Sequence, residues 1–208
     1  MFACLYSTIV VMVNYPSGVR AGGYPQKKKN QNIRYGKRGM GLEEMINQAN
    51  DYYLVNHQAV IHKKPTPITV VHVDYPDRSM AKITEAYYVQ PSTTDYNGVV
   101  NGKYIDFDAK ETKNKTNMPL KNFHQHQITH LKNVLENGGI GFLVLGFTTL
   151  SEYYIFPASL LIKIWDKAKA GGEKSLPYKI VSKQGIKINS KMIPSLDYLP
   201  ALKKLFNI

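Results

Sequence analysis

The chain has 208 residues, 27 of them Lys or Arg against 15 Asp or Glu, for a formal net charge of +12. That length suits one domain with a real core, and the charge calls for an anionic partner. A single cysteine, Cys4, excludes an internal disulfide and a cysteine-built zinc site, and it fits the reducing cytoplasm.

The opening run "MFACLYSTIVVMVNYPSG" is apolar but lacks a basic n-region and a small-residue cleavage site, so it does not read as a signal peptide. Met12 just before "VNYPSG" reads as the natural start, with residues 1–11 an upstream extension. From Asn14 to about Lys37 the chain is rich in Gly, Pro, Lys and Asn, with "PQKKKNQN" at its centre. Such a segment is expected to be mobile and, with Arg34, Lys37 and Arg38, suits an arm lying along phosphates. "GLEEMINQANDYYLVN" follows, with Leu42, Met45, Ile46, Ala49 and Tyr53 at helical spacing. Its Glu43 and Glu44 fall in the first turn, where they favour the helix dipole.

"QAVIHKKPTP" reads as a short strand running into prolines, and "ITVVHVDY" with "AKITEAYYVQ" as a hairpin around "PDRS". That hairpin carries apolar residues on both faces, so it is expected to need a partner surface. A second hairpin joins "DYNGVV" to "KYIDFDAK" through Asn101-Gly102, a strong two-residue turn signal. "LKNFHQHQITHLKNVLEN" is an expected helix with Phe123, Gln127, Leu131 and Val134 on its inner face, and "IGFLVLGF" an expected central strand. "SEYYIFP" adds a strand, "ASLLIKIWDKAKAGG" a helix, and "LDYLPALKKLF" a last short helix around Pro200. No basic amphipathic helix or spanning segment occurs downstream of residue 20, which favours nucleic acid over a membrane as the anionic partner.

The chemistry concentrates on the second hairpin. Tyr104, Asp106, Asp108 and Lys110 share one face of its second strand, and Ile105, Phe107 and Ala109 share the other. A charged strand face ordinarily looks at water. With a two-residue turn, however, Val100 faces Lys103, which brings Asp95 opposite Asp108 and Thr93 opposite Lys110. Facing carboxylates repel unless a cation lies between them, and magnesium takes one or two such ligands. A bulge at Asn97-Gly98 would shift the register by one and turn one aspartate away. Lys110 sits where its ammonium could reach a reacting phosphate or simply pair with Asp108. His124, His126 and His130 do not make a zinc site, because His124 and His126 are expected on nearly opposite sides of a helix and no cysteine assists. Neither a phosphate loop nor a Gly-x-Ser-x-Gly elbow occurs.

An acid on one strand, Asp-x-Lys on the next and a preceding helix bearing Glu43 resemble the PD-(D/E)XK nuclease superfamily. "RGMGLEE", "AVIHKKPTP", "EAYYVQPSTTDYNG", "YIDFDAKETKNKT" and "NFHQHQITH" together resemble the RecU family of bacterial Holliday junction resolvases. The resemblance implies an α/β, restriction-endonuclease-like mixed sheet flanked by helices, with an inserted β-hairpin stalk. It divides the chain into a flexible basic arm, 1–33, and a nuclease domain, 34–208, with the stalk at about 62–92. It implies a homodimeric endonuclease that uses magnesium, or manganese in its place, to nick four-way DNA junctions symmetrically during recombination and repair. Recombinase and branch-migration proteins are the implied protein partners. By matching positions, Thr93, Asp95, Asp108 and Gln127 would bind the metal, Lys110 would stabilise the transition state, and Glu43 would support them. Arg34, Arg38, Lys63, Lys64, Arg78, Lys82, Tyr88, Lys113 and Lys115 would meet DNA. The family pattern reads Asp-Phe-Glu-Ala-Lys, and here Asp108 replaces the glutamate, one methylene shorter, which bears on rate and metal preference. A rival reading is a junction-binding accessory protein with an idle site; another is a duplex-reading restriction enzyme.

Overall fold

The computed structural model describes residues 41–75, 81–89 and 93–208. The arm at 1–33, the start at Met12, and Arg34, Arg38 and Arg78 lie outside the described residues. In chain order the elements are α1 (Leu42–Val55), β1 (Val60–Lys63), β2 (Ile68–Asp74), β3 (Lys82–Tyr88), β4 (Tyr96–Val100), β5 (Lys103–Thr112), β6 (Asn117–Pro119), α2 (Gln125–Glu136), β7 (Ile140–Phe147), β8 (Glu152–Pro157), α3 (Ala158–Lys169), β9 (Ser175–Pro177), α4 (Tyr178–Gln184), β10 (Ile186–Lys187) and α5 (Leu199–Phe206).

Six strands form one sheet in the order β1-β4-β5-β7-β8-β10. Only the β5–β7 pair is parallel, with α2 in the connection between them, and the other pairings are antiparallel. β7 is buried on both faces, which is why its sequence is a continuous apolar run and not an alternation. Its even positions, Phe142 and Val144, pack with Met45, Ile46 and Tyr53 of α1 and Leu202 of α5. Its odd positions, Leu143, Leu145 and Phe147, pack with Ile128 and Leu131 of α2, Leu161 of α3 and Val181 of α4. A mixed sheet therefore separates two cores, the arrangement expected from the helix and strand pattern.

Across the centre of the first core runs a ladder of rings. Tyr96, Phe107 and Phe142 are direct cross-strand partners, stacked at 4.9 Å and 4.6 Å with interplanar angles of 7° and 15°. Each such ring buries about 1.5–3 kcal/mol of apolar surface, so the backbone behind Asp106 and Asp108 is stiff. The first core is closed by a polar clasp: Tyr53 donates its hydroxyl to Asp197 Oδ1 at 2.9 Å, takes the Leu199 N–H at 3.1 Å, and Tyr198 donates to Asn50.

β2 and β3 form a two-stranded sheet of their own, irregular around Val70 to Val73. Most of their apolar residues are exposed, including Ile68, Val70, Val71 and Ile83, with Val73 half-buried. β6 and β9, three residues each, pair only with one another. Among the described residues no helix is long and apolar enough to cross a membrane.

Candidate active site

The β4–β5 turn places Asn101 and Gly102 at φ 48° and 74°, the doubly left-handed backbone that a tight hairpin wants and that Asn-Gly tolerates. Pairing then runs without slippage from Val100–Lys103 to Tyr96–Phe107. Gly98 makes no bulge. A Cβ there would sit 2.1 Å from the Val60 carbonyl oxygen, so the glycine lets β1 close against β4.

The ladder stops at Tyr96, and the backbone bends at Thr93 and Asp95. Asp95 still comes within reach of Asp108 and raises its pKa. The expected pairing of Thr93 with Lys110 does not form. Alternation fails at the bend, so that Thr94, which strict alternation assigns to the other face, donates its hydroxyl to Asp106, while the Thr93 hydroxyl reaches only the Thr94 carbonyl at 3.3 Å.

The charged face of β5 does not look at water. Asp106 and Asp108 are both fully buried, because α2 lies over that face. Asp108 takes the Gln127 Nε2–H on Oδ1 at 2.8 Å. Its Oδ2 lies 2.7 Å from the Lys110 ammonium as an ion pair, with the Asp95 carboxyl also within reach of the group. Burial pushes the Asp108 carboxyl up, Lys110 pulls it back, and the Asp95 carboxylate pushes it up again, to about 7. A fully buried carboxylate with a second carboxylate beside it that pushes its proton affinity up is the chemistry of a cation site. Two carboxylates, with neutral oxygens nearby, suit a hard divalent ion; among the described residues no cluster of three His, Cys, Asp or Glu side chains forms a ready-made metal cage.

Gln127 sits where it was expected but turned differently. Its Oε1 accepts the His124 N–H at 3.1 Å as part of a capping box, so its nitrogen faces Asp108. As placed it orients Asp108, and a ligand role requires the amide to turn.

Sequence reasoning missed Asp106 as a site residue. Its Oδ2 is reached by Lys64 Nζ at 2.8 Å, the Tyr104 hydroxyl at 2.8 Å and His130 Nε2 at 3.0 Å. Burial alone would raise its pKa, but the hydrogen bonds from Lys64, Thr94, His130 and Tyr104 hold it below the usual carboxylate range. Lys64, expected at phosphates, is thus committed to a buried carboxylate, with its side chain 18% exposed. Lys63 pairs with Glu43, so the first-turn glutamate that was to support the metal site meets β1 instead. The α1 N-terminus is capped from a distance, by Glu111 Oε2 accepting the Leu42 N–H at 3.3 Å.

α2 begins at Gln125, after a short 3-10 turn at Leu120–Asn122, so the expected longer helix starts late. His124 precedes the helix, and its ring stacks on His126 at 5.4 Å, not on the opposite side. Burial, then His124 and Lys110, lower the His126 pKa while Asp95 opposes them, which puts His126 at the rim of the same site. Lys113 and Lys115 are exposed on the loop after β5. Thr148 and Thr149 hold that loop through the Thr112 and Lys113 carbonyls at 3.1 Å and 2.6 Å. On β3, Lys82 is exposed, and Tyr88 is 84% exposed, whereas the Tyr87 hydroxyl is tied to Glu85 at 2.6 Å.

A mixed sheet between two helical layers, with facing aspartates and an Asp-x-Lys on adjoining strands, places the chain in the restriction-endonuclease-like class. The chain belongs to the RecU family: the family described as Recombination protein U matches residues 37–204. It is 56% identical over 201 residues to the Holliday junction resolvase RecU of Leuconostoc citreum, covering 93% of this chain and 97% of that one. It is 51% identical over 201 residues to the protein of the same name from a Geobacillus species, covering 94% and 98%. Among solved structures it is similar to Archaeoglobus fulgidus Hjc, a Holliday junction resolvase, with a TM-score of 0.40, 12% identity, and 68% and 94% of the two chains covered.

Proposed function

We propose that this protein is a Holliday junction resolvase, a homodimeric endodeoxyribonuclease that hydrolyses phosphodiesters in four-way DNA junctions during recombination and repair in the cytoplasm. The observation that carries the reading is the pair Asp95 and Asp108, close enough that the one raises the pKa of the other, with the Lys110 ammonium 2.7 Å from the buried Asp108 Oδ2. Asp95 and Asp108 would hold magnesium, or manganese in its place, with Thr93 and Gln127 as the neutral donors at hand. A divalent ion there supplies positive charge to the scissile phosphate. Lys110 stands on β5 beyond its last pair with β4, its side chain 18% exposed, and adds a second positive charge against the phosphate as it gathers negative charge. Gln127 fixes the Asp108 rotamer, and the Tyr96–Phe107–Phe142 stack keeps the strand carrying it from shifting.

Symmetric resolution needs two nicks related by a two-fold axis, which a homodimer supplies. Recombinase and branch-migration proteins are the expected partners in the cell. The test is to incubate the protein and magnesium with end-labelled junction, duplex and single strand and to map the nicks. Paired symmetric nicks in the junction support the reading. Binding without cutting moves it to an accessory role, duplex cutting at a fixed sequence moves it to a restriction enzyme, and a monomer by light scattering with junction DNA present speaks against a resolvase.

A further inference from the structure

The β2–β3 hairpin leaves the main sheet after β1 and returns before β4, and both of its roots end on one carboxylate. At the incoming root, Lys64 gives its backbone N–H to the Asp95 carbonyl at 2.7 Å and its ammonium to Asp106 Oδ2 at 2.8 Å. At the outgoing root, Thr94 donates to Asp106 Oδ1, and Lys64 Nζ lies 3.1 Å from the Thr94 hydroxyl. Tyr104 and His130 complete the shell. Asp106 has no accessible surface and Thr94 is 2% exposed. With both oxygens occupied by donors of this chain, Asp106 has no room for a ligand of its own. A buried ion of this kind is weak evidence for stability, since apolar packing holds strands as well or better. What it does hold is the segment 93–95, which lies beyond the last ladder pair with β5. Asp95 is flanked by Thr94 and carries the carbonyl that Lys64 grips.

We propose that Asp106, Lys64, Thr94, Tyr104 and His130 form a positioning cluster that sets Asp95 against Asp108 and couples the β2–β3 hairpin to that site. The proposal rests on the nuclease reading of Asp95 and Asp108. Asp106 touches no reacting group; it acts through Thr94 and Lys64. Displacement of the hairpin roots reaches Asp95 through this carboxylate and through the Lys64 N–H on the Asp95 carbonyl.

Thr94→Val tests it without creating a buried charge, with Thr94→Ser as the conservative rescue and Tyr104→Phe as a second, milder variant that removes one donor. Manganese binding is measured on the DNA-free protein by electron paramagnetic resonance, amide exchange is read over residues 93–97 with and without junction DNA, and single-turnover junction cleavage is followed across magnesium concentrations. Thr94→Val is expected to weaken manganese binding roughly 10–100-fold, as the loss of a ligand-orienting contact typically does. It should also lose the junction-induced protection of 93–97 and keep junction affinity within about twofold, because phosphate contacts dominate that affinity. Thr94→Ser should restore manganese binding and the junction-induced protection. Parent-like manganese affinity in both Thr94→Val and Tyr104→Phe overturns the positioning role, and parent-like protection in Thr94→Val overturns the coupling. If the parent binds manganese through Asp95 and Asp108 yet never cuts a junction, the proposed activity fails while the positioning role stands.

Discussion

Asp108 has a pKa near 7 because burial and Asp95 together outweigh Lys110, and this makes the metal-free protein sensitive to pH in an unusual direction. Below about pH 4 the carboxyl is protonated whether the chain is folded or not. Between about pH 4 and about pH 7 only the folded chain keeps the proton, so folding stability falls as pH rises through that window and levels off above it. Asp106 acts oppositely and lower: its pKa is depressed, so its contribution is full above the ordinary aspartate value and is lost as pH falls from there through the depressed pKa. In the presence of a chelator, the melting temperature of the parent should therefore drop from about pH 4 to about pH 7 relative to that of Asp108→Asn. A pH-independent difference between the two would sink the assignment. Magnesium competes with the same proton, so its half-saturating concentration for cleavage should fall as pH rises toward 7. Asp108→Ala should abolish cutting and leave junction binding nearly intact, and Asp108→Glu should stay active. Lys110→Ala should slow single-turnover cleavage about 10²–10³-fold, the usual cost of removing one group that stabilises developing charge. A drop in affinity instead would recast Lys110 as a phosphate anchor.

Among the elements, the β2–β3 hairpin offers the clearest experiment. Its apolar residues face solvent in the isolated chain, and Tyr88 has no packing role while Tyr87 is tied to Glu85. Tyr88→Ala, or a Gly-Ser turn in place of the hairpin tip, should lower the preference for junction over duplex and slow junction cutting, while manganese binding persists; equal preference in variant and parent would remove the hairpin from recognition. The hairpins, the long helices and β7 were legible because turn chemistry and apolar spacing are local. β6, β9 and β10 were not, since two or three residues become strand only when a distant partner is present. Alternation along β5 put Asp106, Asp108 and Lys110 on one face but could not say that α2 would cover it, so burial was missed where the face was found. Thr94 escaped for a different reason: the backbone bend before β4 breaks the period on which face assignments rest. Lys64 looked like a free cation because its partner lies 42 residues away.

For the whole molecule, 27 basic residues against 15 acidic ones predict junction binding that weakens steeply with salt, as phosphate-neutralising contacts require. Deleting residues 1–32 should flatten that salt slope and leave the melting temperature of the folded part unchanged, and an unaltered slope would reduce the arm to a solubility device. The clasp between α1 and the Asp197–Leu199 stretch joins residues 144 to 148 positions apart. Ending the chain at residue 196 should therefore strip Tyr198, Leu199 and Leu202 from the first core and uncover Tyr53, destabilising the fold by about 1.5–3 kcal/mol for each large apolar side chain lost, which chemical denaturation can measure. During synthesis the β4–β5 hairpin can close as soon as it emerges, but the α1 layer must wait for Asp197–Leu199. The ribosome thus releases the acids early and the seal over their supporting core late, so a chain stalled before residue 197 exposes the back of the sheet, and not the aspartates, to chaperones and proteases.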